Sequence, residues 1–316
     1  MSRQGDFIIV DGYNGDSCCI SPPHLSWGPE LAPGSTGLYA MPFQTNWISY
    51  AYGQYYQSWK PKRRDVVWTI NVRNPETGSL IDQDSDVWHS IYSRWRAMWS
   101  PAEETTVRYI SIDGERHLGL REIEAPKPFS ANTFEGKDPH LFAFGSLVQS
   151  SAAEFPAFVG KPDIYEWSSP DGGTGNYWFG LPYFNPSTLD IWPEWDLTGG
   201  AQWVLPDYSF GKESYGRGQS DRGKTVPIPT LAQGENVTVM TRPDQEWILS
   251  EWETPVTNRS PGIRSEYPIP PGQGSTDNAG TNPGCIVLAN NVLAGATCRL
   301  TLPRWYTEPF STPRVA

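Results

Sequence analysis

Very little in this chain is equipped for chemistry. Its 316 residues include only four histidines and four cysteines. His24, His89, His117 and His140 stand apart, and none falls in an H-E-x-x-H or H-x-H arrangement, so the common histidine-based zinc patterns are absent. No C-x-x-C occurs. Cys18 and Cys19 are adjacent, while Cys285 and Cys298 sit alone on strand-like segments. This is not a disulfide framework. Buried reduced thiols are expected, with a Cys285–Cys298 bridge across a hairpin as the alternative. The G-x-S-x-G elbow is missing, and Gly211-Lys212 lacks the glycine spacing and the Ser or Thr of a phosphate-binding loop. Asp171-Gly-Gly-Thr-Gly175 does not follow a strand and open a helix, as a dinucleotide site requires. Asp82-Gln-Asp-Ser-Asp86 has Val87 and Ser93 where a calcium loop needs Gly and Glu. The sequence therefore predicts no catalytic residue, no cofactor and no metal.

Long apolar runs are also absent. No stretch reaches the length of a membrane span, and Met1-Ser-Arg-Gln-Gly-Asp6 lacks the apolar region of a signal peptide. Basic charge is scarce: the formal net charge is -11, which argues against a phosphate backbone as partner. The local cluster Lys60-Pro-Lys-Arg-Arg64 reads as a solvated turn or a source of salt bridges.

What the chain has in quantity is punctuation and aromatic rings. Thirty Gly and 30 Pro argue against a helical protein. Fifteen Trp, 15 Tyr and 12 Phe suit strands and interfaces. Phe7–Val10 reads as a strand closed by Asp11-Gly12, and Tyr13 to Pro61 as irregular structure and long hairpins. Asp65–Val72 is a strand, and Asn74–Gly78 a turn. One helix is clear. Val87, Trp88, Ile91, Trp95, Met98 and Trp99 form an apolar stripe, with capping residues at Asp84, Ser85 and Asp86, Arg94 and Arg96 in the later turns and Pro101 as the stop. Thr106–Ile112, the turn Asp113-Gly114 and Glu115–Glu122 make a hairpin, and Pro126-Lys-Pro128 closes a first domain. Ser168–Gly175, Ser209–Lys224 and Pro271–Pro283 read as exposed loops.

The last third carries an ordered string of signals: Ile191–Gly200, Gly234–Pro243, Tyr267-Pro-Ile-Pro-Pro-Gly272 and Leu302–Tyr306. Each is a short strand bounded by Gly or Pro, and from Asp190 onward the pattern suggests an antiparallel sandwich. In order, these pieces resemble the C-terminal domain of siphophage distal tail (Dit-type) proteins, best those of phages of actinobacteria. The preceding strand, helix and hairpin resemble the ring-forming domain of the same family. The resemblance implies a mainly β fold: a ring-forming β domain with one packed α-helix over 1–130, a connecting segment over 131–189, and a galectin-like β-sandwich over 190–316. It further implies a virion component of the tail tip, made in the host cytoplasm. Its partners would be itself as a closed ring, expected to be a homohexamer, a tail-tube protein above and tail-tip or fibre proteins below. Asp113, Gly114 and Arg116 are the expected subunit contacts. Trp192, Trp195, Trp247 and Trp252 are the expected outward aromatics, able to meet a host-surface glycan.

Two other readings start from the same aromatics. A glycosidase would need paired carboxylates beside sugar-stacking rings. Glu194, Glu246 and Glu251, next to Trp192, Trp195, Trp247 and Trp252, are the candidates, but such neighbours are unremarkable in this composition, and no enzyme is expected. The alternative to the tail reading is a non-catalytic carbohydrate-binding β-sandwich.

Overall fold

The structure, a computed structural model, describes residues 6–21, 27–72, 85–124, 146–170, 174–260, 262–276 and 284–310. His24, His140, the turn at Asn74–Gly78, the stop at Pro126–Pro128 and most of the Asp82–Asp86 loop lie outside the described residues. The chain forms two units, Met1–Gly160 with Tyr306–Thr312, and Lys161–Trp305 with Pro313–Ala316.

The first unit contains β1 (Phe7–Asp11), β2 (Ser17–Cys19), β3 (Pro29–Leu31), β4 (Phe43–Tyr50), β5 (Gly53–Pro61), β6 (Arg64–Val72), α1 (Ser85–Ala97), β7 (Thr105–Ser111), β8 (Gly114–Glu124), β9 (Ser146–Ala153) and the start of β10 (Phe158–Ser168). Seven of these strands form an antiparallel sheet in the order β2-β1-β7-β8-β9-β6-β3. Side chains alternate across it, so β6 buries Val66, Trp68, Ile70 and Val72. The apolar stripe of α1 covers that face: Trp88, Ile91 and Trp95, with Met98 and Trp99 just beyond the helix, are all buried. Trp99 sits 6.1 Å from Trp68 and 5.6 Å from Trp95 between ring centroids. The Trp68 indole donates to Ser151 Oγ at 2.9 Å, and that hydroxyl donates to the Val66 carbonyl, so a large core ring keeps its polar atom satisfied. Asp86 in the first turn and Arg94 and Arg96 in the last complement the helix dipole. Arg96 also pairs with Glu122 at 2.9 Å.

The basic cluster does not behave as its composition suggests. Arg63 does pair with Asp65 in the open, but Arg64 is 0% exposed. It donates to the Thr307 carbonyl at 2.6 Å and lies over the Phe158 ring. Burial lowers its pKa to about 10. Strand phase explains this: Arg64 is in register with Val66 and Trp68, on the face that must be covered.

The second unit continues β10 and adds β11 (Gly175–Leu181), β12 (Tyr183–Phe184), β13 (Glu194–Leu197), β14 (Gln202–Pro206), β15 (Thr225–Pro227), β16 (Val237–Met240), β17 (Ile248–Ser250), β18 (Gly274–Ser275), β19 (Cys285–Val292) and β20 (Thr297–Tyr306). One sheet runs β17-β16-β13-β20-β10 and the other β11-β19-β14-β15, with β12 paired to β18. Trp195, Leu197, Val239, Leu300 and Leu302 from the first sheet share a core with Trp203, Leu205, Val287 and Ala289 from the second. This is the mainly β, sandwich-bearing fold the sequence predicts. None of the four cysteines forms a disulfide. Burial pushes the Cys18 and Cys285 thiols up to about 12, so they pack as small apolar groups.

Ser209–Lys224 is mostly the exposed loop the sequence predicts, but it is anchored at buried points. Glu213–Tyr215 forms a short turn of 3-10 helix, but Ser209 and Asp221 are buried. Asp207, also buried, accepts the backbone N–H groups of Glu266 and Tyr267 and pairs with Lys224 at 2.9 Å. Asp221 accepts the Tyr267 hydroxyl at 2.7 Å. Two carboxylates with fixed donors therefore pin the loop to the Tyr267–Gly272 stretch.

Candidate functional site

The β7–β8 hairpin turns one residue earlier than its Asp-Gly signal suggests. Ser111 pairs with Gly114, leaving Ile112 and Asp113 as the turn. Gly114 takes φ +109°, a conformation that favours glycine. Ile112 is 99% exposed at the tip. Arg116 does not reach outward with it. It is buried on the same face as Leu118 and Leu120, donates to the Glu308 carbonyl at 3.0 Å and lies 3.6 Å from the Tyr306 ring centroid. Of the three expected contacts, Asp113 and Gly114 are at the tip, and Arg116 instead holds the chain's returning segment.

The expected outward tryptophans also separate. Trp195 and Trp247 are core residues of the sandwich, so neither meets anything outside it. Trp192 is half-buried. Trp252 is 81% exposed. The carboxylates weighed for catalysis do not converge: Glu246 accepts from Thr257, and Glu251 from Asn236. Glu194 is on β13, where burial raises its pKa, helped by the neighbouring Asp196.

A dense group of exposed aromatics lies in a segment that the sequence reads as irregular structure and long hairpins. Among the described residues, β4 and β5 pair only with each other. Phe43, Trp47, Ile48, Tyr50, Tyr55, Tyr56 and Trp59 are all exposed. The register places Phe43, Trp47, Tyr56 and Trp59 on one face, with edge-to-face pairs Phe43–Trp59 at 6.2 Å and Trp47–Tyr56 at 5.5 Å. Near the tip, the opposite face carries Ile48, Tyr50 and Tyr55, with Tyr50 and Tyr55 at 4.8 Å. A two-stranded ribbon is marginal alone in water, and an apolar patch of this kind marks an interaction surface. A sequence signal accompanies it. Between Glu30 and Asp65 there is no acidic residue, while Lys60, Lys62, Arg63 and Arg64 are basic. In a chain of net charge -11, that absence sets the segment apart.

Comparison with known proteins bears on what such a surface is for. No family model matches the chain. It is 25% identical over 299 residues to the minor tail protein Gp27 of Mycobacterium phage L5, covering 79% of this chain and 82% of that protein. It is 24% identical over 282 residues to the minor tail protein Gp27 of Mycobacterium phage D29, covering 74% and 80%. The structure matches that of SPP1 Dit (gp 19.1), described as a paradigm of the hub adsorption apparatus in phages infecting Gram-positive hosts. The TM-score is 0.53 at 9% identity, over 94% of this chain and 98% of the other. The Dit-type resemblance holds. It extends over most of the chain, and the sequence relatives are from phages of an actinobacterial genus, as the aromatic-rich C-terminal string implies. The chain is similar in sequence to mycobacteriophage minor tail proteins and shares its fold with a Dit protein.

Proposed function

We propose that copies of this chain close a ring, a homohexamer, at the tail tip. The ring joins the tail-tube protein above to tail-tip or fibre proteins below, and its role is mechanical rather than enzymatic. Ring closure needs a heterologous contact, in which one patch meets a different patch on the next copy. The observation that carries the reading is the β4–β5 hairpin. Its aromatic face is exposed among the described residues, and its segment is basic where the chain as a whole is acidic. A second copy offers the opposite charge, which steers such contacts and fixes their register. The exposed tip at Ile112 and Asp113 is a second contact of the same unit. The sandwich holds other tail proteins or faces the host.

The test is native mass spectrometry of the full chain beside probing of purified tails with an antibody. A discrete hexamer present in tails is expected. Replacing Trp47 and Tyr56 with Ser should shift the hexamer to monomer with unchanged circular dichroism. A wild-type chain that stays monomeric at high concentration and is also absent from tails would sink the reading.

A further inference from the structure

The outer face of the β17-β16-β13-β20-β10 sheet carries a hollow of about 480 Å3, lined by Glu166, Asp196, Thr238, Asn236, Glu251 and Arg299 among others. Strand alternation puts these residues there. Trp195 and Leu197, Val237 and Val239, and Cys298 and Leu300 point into the core, so Asp196, Thr238 and Arg299 between them point out. The register sets Asp196 directly between Arg299 and Thr238 on the two flanking strands. Their contacts form a row across the sheet. Arg299 Nε donates to Glu166 at 2.7 Å, Thr238 Oγ1 donates to Asp196 at 2.8 Å, and Arg299 Nη1 stands 4.0 Å from Asp196, beyond hydrogen-bond reach. Asn236 Nδ2 donates to Glu251 at 3.1 Å.

A second hollow adjoins the first and shares Asn236 and Glu251 with it. Trp252 lines this second hollow, on the turn after β17. That turn is held in place: Ser250 Oγ accepts the backbone N–H groups of Trp252 and Thr254. The two hollows meet at Asn236 and Glu251, and we treat them as one groove with hydrogen-bonding groups along its floor and the Trp252 ring at one end.

We propose that this groove binds a neutral saccharide. Hydroxyl groups both donate and accept, and the floor offers both partners side by side: carboxylates at Glu166, Asp196 and Glu251, and donors at Arg299 and Asn236. Trp252 supplies a flat apolar surface for the face of a sugar ring. The charge of the lining selects the class. Three carboxylates face one guanidinium, so an anionic ligand is repelled. The carboxylates are not grouped to hold a cation, since no cluster of three or more metal-ligating side chains occurs among the described residues. A protein partner would want a central apolar anchor pocket, whereas the outward residues on the sheet floor are polar. The inference extends the tail-tip reading by giving the sandwich a ligand. It is tested on the purified chain, so its failure leaves the ring reading standing.

The experiment is saturation-transfer NMR with tryptophan fluorescence on the full chain. The probes are galactose, mannose, arabinose, glucose, N-acetylglucosamine, lactose and maltose, with N-acetylneuraminic acid and hexalysine as charged probes. At least one neutral saccharide should bind. Trp252→Ala and Asp196→Asn, both at exposed positions, should each weaken it by about tenfold with unchanged circular dichroism. Failure of every neutral probe would overturn the proposal. So would binding that both variants leave intact, or a preference for N-acetylneuraminic acid. Hexalysine binding lost in Trp252→Ala would overturn it as well, and would assign the groove to a basic peptide.

Discussion

The β4–β5 hairpin and the sandwich are both built on aromatic side chains, yet they use them in opposite ways. In the sandwich, Trp195, Trp203 and Trp247 are sealed between two sheets of the same unit. In the hairpin, Trp47 packs edge-to-face on Tyr56 and Trp59 on Phe43, and both tryptophans are exposed. Aromatic richness therefore has two causes here. One is a core that stabilises the folded chain, and the other is a surface whose stabilisation comes only when something covers it. Burial of equal rings contributes to folding in the first case, and in the second it is left to the association proposed above.

The contrast breaks most visibly at Trp195. Trp195→Ala should cost about 3–5 kcal/mol in urea unfolding of the full chain, whereas Trp47→Ala should stay within about 0.5 kcal/mol. Equal losses would mean that the hairpin ring is covered within the folded chain. Arg116→Ala comes next. It removes a buried hydrogen bond to the Glu308 carbonyl and the cation over Tyr306, for an expected loss of about 2–3 kcal/mol. A loss below about 0.5 kcal/mol would return Arg116 to the role of outward contact. The hairpin variant with Trp47 and Tyr56 both changed to Ser should show no change in unfolding midpoint, while its association is lost. The smallest effect is on pH. The Tyr267 hydroxyl holds the Asp221 carboxyl below the usual carboxylate range. Its contribution is fully present above the ordinary value of 3.8 and is lost as pH falls from there through the lower folded value. Asp221→Asn should therefore flatten the acid limb of the stability profile and leave its neutral limb parallel to the wild type. An unchanged acid limb would remove Asp221 from the account.

Much of the fold was legible in the residues because period and punctuation agree with it. The stripe from Val87 to Trp99, the alternation of Asp65–Val72 and the hairpin at Asp113-Gly114 each name an element and its type. What the sequence did not disclose was which side of each strand would be covered. Trp195 and Trp252 look alike beside their glutamates, and only the pairing of β13 between β16 and β20 puts Trp195 inside. Composition makes Arg64 part of a solvated basic turn, and the family resemblance makes Arg116 a subunit contact. Their phase with Val66 and Leu118 was the available signal that they lie on covered faces. The groove was less accessible still. Glu166, Asp196, Asn236, Glu251 and Arg299 come from five places in the chain, and only the strand register brings them together. The absence of acid between Glu30 and Asp65, by contrast, can be read without any structure.

The return of the chain to its first unit has a consequence in time. Tyr306 belongs to the core of that unit, and Thr307 and Glu308 accept hydrogen bonds from Arg64 and Arg116. During synthesis, therefore, the unit begun at Phe7 cannot be finished until the ribosome has read through the whole sandwich. A chain released before Tyr306 would lack one ring of that core and the two carbonyls that accept from Arg64 and Arg116, so this unit is completed only after the sandwich has been made.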